Sequence, residues 1–181
     1  MANKVLVVVD VQNDFVMGGS LAYGYPEKSN TDAIVAKAKE FLSNGDFVIA
    51  TRDTHGEDYL ETLEGQMLPV KHCIDGTRGW QLVDSLNGLT EHGVIAIDKI
   101  TFGTSQVGKN VKWLIGHGFD IDEIQVVGYC TSICVLSNAV LLRAAFPNMR
   151  ITVLKDLCGD IDEESHKAAL KVLRNQMIEI K

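Results

Sequence analysis

Three prolines in 181 residues, with no low-complexity tract and no stretch rich in Pro, Gly and Ser, leave nothing that reads as a linker. A second domain has no place to begin, so one domain over residues 1–181 is expected. Long apolar runs are also missing. The run at residues 5–9 ends at Asp10 and is too short for a signal-peptide core, and no later run approaches a membrane span. A cytoplasmic protein with no membrane partner is the expectation. No cluster of basic residues occurs, and 17 Lys and Arg stand against 24 Asp and Glu for a formal net charge of −7. Affinity for a phosphate backbone draws on neutralising basic side chains, so nucleic acid is not an expected partner. Disorder is disfavoured too, because 46% apolar content in a chain of this length can bury a continuous core. No Gly-x-Gly-x-x-Gly follows the first apolar run, which argues against a dinucleotide-binding dehydrogenase. The residue two after Asp10 is Gln12, where phosphoaspartate catalysts generally carry a second aspartate.

What is present has a regular order. Apolar, β-branched runs recur at residues 5–9, 47–50, 94–97, 124–127 and 151–154, with a weaker one at 177–180. Their near-continuous apolarity predicts strands covered on both faces. Between them, helical period marks residues 32–42, 107–115, 132–145 and 163–173. Strand and helix in alternation predict an α/β fold: a doubly wound, mostly parallel sheet of about six strands with helices on both faces. Ser29, Asn30 and Thr31 offer a cap for the first helix, and Asn44-Gly45 offers its stop. Residues 54–89 are polar and weakly periodic, a long excursion of the kind that usually carries function.

Ligands of an open parallel sheet bind beyond the carboxyl ends of its strands, so what ends each strand matters most. The first ends in Asp10, the second in Thr51-Arg52-Asp53-Thr54-His55, the third in Asp98-Lys99, the fourth in residues 128–134 and the fifth in Lys155-Asp156. A carboxylate, a lysine and a thiol are thus expected on one rim. Of the four cysteines, expected as free thiols in a reducing compartment, Cys73 and Cys158 read as small buried hydrophobes. Cys134 falls in the first turn of the helix after the fourth strand, where unpaired N–H groups and the positive dipole end favour thiolate. Asp10 could take its proton, while Lys99 could lower the thiol pKa and hold the carboxylate ionised. Asp53, His55, Glu64 and His72 supply two imidazoles and two carboxylates, a set that can hold a divalent metal but that a polar loop can also collect by chance.

These residues, in this order, resemble the isochorismatase-like cysteine hydrolases and, within them, the nicotinamidases. The matching blocks run almost the length of the chain. They are Asp10-Val11-Gln12-Asn13-Asp14-Phe15 with Gly18-Gly19-Ser20-Leu21, then Asp53-Thr54-His55, then Leu68-Pro69-Val70-Lys71-His72-Cys73 with Gly76-Thr77, then Asp98-Lys99, and finally residues 128–135. The resemblance implies a catalytic triad of Asp10, Lys99 and Cys134 and a metal site of Asp53, His55 and His72, with Glu64 as a fourth ligand in a less secure register. Zinc is the commonest metal in that family, with iron and manganese as alternatives. It also implies a cis peptide between Tyr129 and Cys130, an oxyanion hole from the backbone N–H groups of Cys130 and Cys134, and Phe15 against a substrate ring. The implied reaction converts nicotinamide to nicotinate and ammonia through a Cys134 thioester, and a homo-oligomer is expected.

Two places depart from the family pattern. Thr54 stands between the metal-binding Asp and His where an aromatic is frequent, and Phe102-Gly103-Thr104-Ser105 follows the lysine where two aromatics are frequent. A less aromatic pocket keeps another small amide or carbamoyl substrate open, and a non-catalytic small-molecule binder is a third reading. Trp80 and Tyr59 could supply the missing aromatics, although packing is the expectation for both.

Overall fold

The computed structural model describes residues 2–16, 18–26 and 30–181. The elements follow one another as β1 (Asn3–Val9), α1 (Thr31–Ser43), β2 (Phe47–Asp53), α2 (Leu63–Met67), α3 (Asp84–Asn87), β3 (Val94–Lys99), α4 (Ser105–Gly116), β4 (Ile121–Tyr129), α5 (Leu136–Ala145), β5 (Arg150–Gly159), α6 (Glu163–Asn175) and β6 (Glu179–Ile180). The six strands form one sheet in the order β3-β2-β1-β4-β5-β6, and their pairings are parallel. The expected sheet is therefore present.

The runs of the central strands read as they do because both faces are covered, whereas the run at 94–97 departs from that expectation: β3 is an edge strand, and Ile95 and Ala96 are exposed. Val5, Val7 and Val9 of β1 pack with Val111 of α4, Leu142 of α5 and Leu170 of α6. Leu6 and Val8 pack on the other face with Ile34, Ala38 and Phe41 of α1. β1 has no solvent-facing side and so no polar alternation.

The strand order reverses direction between β1 and β4. From there the chain winds outward to β2 and β3 on one side, and to β5 and β6 on the other. Such a switch point opens a crevice at the carboxyl ends of the two central strands. Gly128 lets these ends close up: its φ is +119°, and a Cβ there would lie 2.1 Å from the Val9 carbonyl oxygen. Gly128→Ala is expected to cost about 3 kcal/mol in urea unfolding, through a positive φ and a backbone clash that no side-chain rotation relieves.

Three expectations need correction. β5 does not end near Leu154. It runs on to Gly159 through a register irregularity in which β4 advances from Val126 to Gly128 while β5 advances from Val153 to Cys158. Lys155 and Asp156 lie in that bulge and are exposed, and the polar residue that follows the true strand end is the fully buried Asp160. At the start of α1, Ser29 lies outside the described residues, and the Asn30 side chain makes no capping bond. It donates instead to the Asp156 and Cys158 carbonyls at 3.3 and 3.2 Å, and accepts from the Tyr129 hydroxyl at 2.8 Å, so it ties the bulge to β4. The long excursion is also less irregular than its weak periodicity indicated, since it carries α2, α3 and a 3₁₀ turn at Tyr59–Glu61. No helix among the described residues is long and apolar enough to cross a membrane.

Candidate active site

β1 delivers Asp10 to the crevice with φ +52°, a left-handed conformation that aspartate tolerates better than most residues. Its side chain is fully buried, and Oδ1 accepts from the Thr51 hydroxyl at 2.6 Å. Lys99, the last residue of β3, buries its ammonium between three partners. Nζ lies 2.8 Å from Asp10 Oδ2, 3.0 Å from Asp53 Oδ1 and 3.6 Å from Cys134 Sγ. Asp10 Oδ2 has no hydrogen bond of good geometry, so its contact with Lys99 is that of an ion pair and leaves it open to accept a proton. The structure thus brings Asp10, Lys99 and Cys134 together from three strand ends.

Cys134 does not sit in a first α-helical turn. It belongs to a π-helical turn, Thr131–Val135, that runs into α5. Single π turns inside helices are frequent at functional sites because they re-aim one side chain. The thiol's state differs from expectation as well. Burial pushes it well above the usual cysteine range and Asp10 adds to this, while Lys99 pulls the other way. Loss of water and a neighbouring carboxylate outweigh one ammonium, so the resting group is a thiol beside a base. Burial also raises the Asp10 carboxyl; Lys99 opposes this and Asp53 reinforces it. Burial would lower the Lys99 ammonium, but the charges of Asp10 and Asp53 hold it above its ordinary range, so it stays charged.

Asp53, at the end of β2, leads into a second cluster. Ligand-capable atoms of Asp53, His55, Glu64 and His72 all lie within 4.8 Å of one another. His55 Nε2 and His72 Nε2 are 3.0 and 3.6 Å from Asp53 Oδ2, and 3.8 and 3.9 Å from Glu64 Oε1. His72 Nδ1 donates to the Val70 carbonyl at 2.8 Å, which turns Nε2 toward Asp53 and Glu64, where loss of its proton would free a lone pair for a ligand. Burial would raise Asp53, but hydrogen bonds from the two imidazoles and the charge of Lys99 hold it far below the usual carboxylate range. An ionised buried carboxylate, two imidazoles and a mostly buried second carboxylate fit a divalent ion of the zinc, iron or manganese type.

Supporting contacts fix this cluster. Gln12, fully buried, accepts from the Asp53 N–H at 2.7 Å and donates to the Asp53 and Trp80 carbonyls at 2.8 and 2.7 Å. Tyr59 packs edge-on against His55 and His72, with ring centroids 4.7 and 5.0 Å away, and donates to the Leu68 carbonyl at 3.0 Å. Trp80 is held away from the cluster, its Nε1 on Thr54 Oγ1 at 2.9 Å and its ring under Arg52 at 4.0 Å. Tyr59 is buried, as expected, whereas Trp80 is only half-buried.

The two clusters face one cavity of about 350 Å³. Asp53, Glu64 and His72 line it together with Cys130 and Cys134, and Phe15, Leu21, Tyr23, Phe102, Ile133 and Ile161 supply apolar wall. Phe15 lies 5.5 Å from the His72 ring. The Tyr129–Cys130 peptide bond is cis, as the resemblance implied. Sequence reasoning passed over Asp160, Asn138 and the role of Gln12. Gln12 stood inside a matching block and could have been found. Asn138, one helical turn after the thiol, donates to the Cys134 carbonyl at 2.8 Å, a spacing visible in hindsight. Asp160 had no signal, because the bulge that carries it inward cannot be seen in the residue pattern.

The family model described as Isochorismatase domain matches residues 4–180. The chain belongs to the isochorismatase family. This isochorismatase-family chain is 30% identical over 190 residues to the nicotinamidase/pyrazinamidase of Mycobacterium tuberculosis, with 98% of this chain and 97% of that protein covered. The solved nicotinamidase/pyrazinamidase of Bacillus subtilis matches it with a TM-score of 0.81 at 29% identity, covering 98% of each chain. The pyrazinamidase of Pyrococcus horikoshii, solved in complex with zinc, matches with a TM-score of 0.73 at 25% identity, covering 99% of this chain and 98% of that one.

Proposed function

We propose that this isochorismatase-family chain is a metal-containing cysteine amidohydrolase that converts nicotinamide to nicotinate and ammonia. The observation that carries the reading is the buried ammonium of Lys99, which touches Asp10, the Cys134 sulfur and Asp53 at once and so joins a thiol–carboxylate pair to a ligand cluster on the same cavity. The relatives named nicotinamidases support the choice of substrate. The reading places the enzyme in the cytoplasm, where its free thiols stay reduced.

Asp10 takes the proton of the Cys134 thiol as sulfur attacks the carboxamide carbon, and Lys99 offsets the charge that moves between them. The backbone N–H groups of Cys130 and Cys134 hold the tetrahedral oxyanion. Collapse breaks the C–N bond; Asp10 returns its proton to the departing nitrogen, ammonia leaves, and the acyl group stays on sulfur as a thioester. Water then attacks the thioester carbonyl, giving its proton to Asp10. The C–S bond breaks, and the thiol regains that proton as the acid departs. Asp53, His55, Glu64 and His72 would hold a divalent ion, which when bound supplies a Lewis-acidic anchor for a ring nitrogen. Phe15 packs against the ring.

One feature favours a second reading. Trp80 is turned away and much of the cavity wall is aliphatic, which suits another small amide on the same machinery. Ammonia release from nicotinamide and from a panel of amides separates the two. The expected result is fastest turnover of nicotinamide, lost on chelation and restored by a divalent ion, in protein that holds about one ion per chain. Strong activity on other amides with none on nicotinamide would replace the substrate. Full activity of metal-free protein would remove the metal.

A further inference from the structure

We propose that Asp160 is a positioning residue that fixes the turn carrying the oxyanion-binding N–H groups. This rests on the reading of the Cys130 and Cys134 N–H groups given above. Asp160 is fully buried at the crevice end of β5, beyond the bulge. Its Oδ2 accepts from the Ser132 N–H at 2.8 Å, and its Oδ1 accepts from the Ser132 hydroxyl at 2.8 Å and the Ile161 N–H at 2.9 Å. Its own N–H donates to the Tyr25 carbonyl at 2.7 Å, and its carbonyl accepts from the Tyr25 and Gly24 N–H groups at 2.9 and 3.0 Å. One residue therefore links the nucleophile turn, the end of β5 and the segment at Gly24 that borders the cavity.

The neighbouring residue is tied in the same direction. Thr131 donates its hydroxyl to the Gly159 carbonyl at 3.0 Å and accepts from His166 Nδ1 at 2.8 Å. Thr131 and Ser132 both stand between the two N–H groups that bracket the oxyanion site, so fixing them fixes the spacing of those groups. A buried carboxylate next to a developing oxyanion is electrostatically unfavourable. Its placement there is accounted for by the geometry it imposes, since a carboxylate alone among side chains of this size accepts three donors at once. Burial and then Asp160 also push the Cys130 thiol up to about 12.

Three readouts on purified protein test the assignment: hydrolysis of nicotinamide, affinity for pyridine-3-carbaldehyde, and the rate at which iodoacetamide alkylates Cys134. The aldehyde traps sulfur as a hemithioacetal whose oxygen needs the N–H groups. Alkylation is displacement at a saturated carbon and forms no oxyanion. In Asp160→Ala, kcat is expected to fall on the order of 100-fold, with KM within about threefold, because misplacement of a reacting group by about 1 Å costs this much. Aldehyde affinity should fall by a similar factor while alkylation stays within about threefold of the parent. Asp160→Asn keeps the volume but turns one acceptor into a donor, so a loss of about tenfold in the same two readouts is expected, and it serves if the alanine variant fails to fold. Alkylation falling in step with kcat, or aldehyde affinity unchanged, would overturn the proposal. Because aldehyde trapping does not depend on which amide is hydrolysed, a parent protein inactive on nicotinamide would sink the substrate reading and leave this comparison intact.

Discussion

Replacing Cys134 by alanine is expected to lower kcat for amide hydrolysis by about 10⁴-fold or more while the protein stays folded. The thiol is the group that would form the covalent bond, and the described residues around it offer no substitute at the same place. Cys130 lines the cavity, but the Lys99 ammonium, itself paired with Asp10, meets the sulfur of Cys134. Cys73 and Cys158 are buried in the core. Cys134→Ser should be nearly as inactive, because a hydroxyl is a far weaker acid than a thiol and a carboxylate base cannot draw off its proton at useful cost. Mass spectrometry after incubation with an electrophilic nicotinamide analogue checks the same point. One adduct is expected at Cys134 in the parent and none in Cys134→Ala. Residual hydrolysis above a hundredth of the parent rate, or label at Cys130 in the parent, would count against sulfur 134 as nucleophile.

Much of this arrangement was legible from the residues, for physical reasons that differ from element to element. β1 announced itself because both faces are buried, so Val5, Leu6, Val7, Val8 and Val9 are all apolar. Asp10, Asp53 and Lys99 were legible because a parallel sheet sends each strand end to one rim, and the polar residues that follow an apolar run mark that end. β5 was misread because its ladder skips residues: the bulge puts the polar Lys155 and Asp156 where a strand end was expected, and the true end at Gly159 follows Leu157 and Cys158. The state of the thiol was misread for another reason. Proximity of a lysine can be inferred from topology, whereas depth of burial and the count of carboxylates around sulfur need coordinates, and these two decide the sign of the shift.

Lys99 tests whether the buried charges act as one unit. Lys99→Met keeps volume and apolar stem but leaves Asp10 and Asp53 buried without their common cation, at a cost of about 3–5 kcal/mol in urea unfolding near neutral pH. The pH dependence should have a definite sign. In the parent, Lys99 is held above its ordinary 10.5, so its contribution is fully present below that value and is lost only as alkaline pH passes the raised one. In the variant, Asp10 loses the cation that restrains its rise, so its folded-state pKa moves further above the unfolded 3.8. The folded variant then binds a proton more tightly than the unfolded chain, so its stability deficit narrows as the pH falls and is widest from neutral to mildly alkaline pH. The same shift acts on turnover. Asp10 must be ionised to take the thiol proton, so the acidic limb of kcat/KM should move to higher pH in Lys99→Met, beneath a maximum already lowered by the loss of the ammonium. Unfolding and rate profiles measured together between about pH 5 and 9 decide it. A deficit independent of pH, or an acidic limb displaced downward, would show that Lys99 does not govern the charge on Asp10.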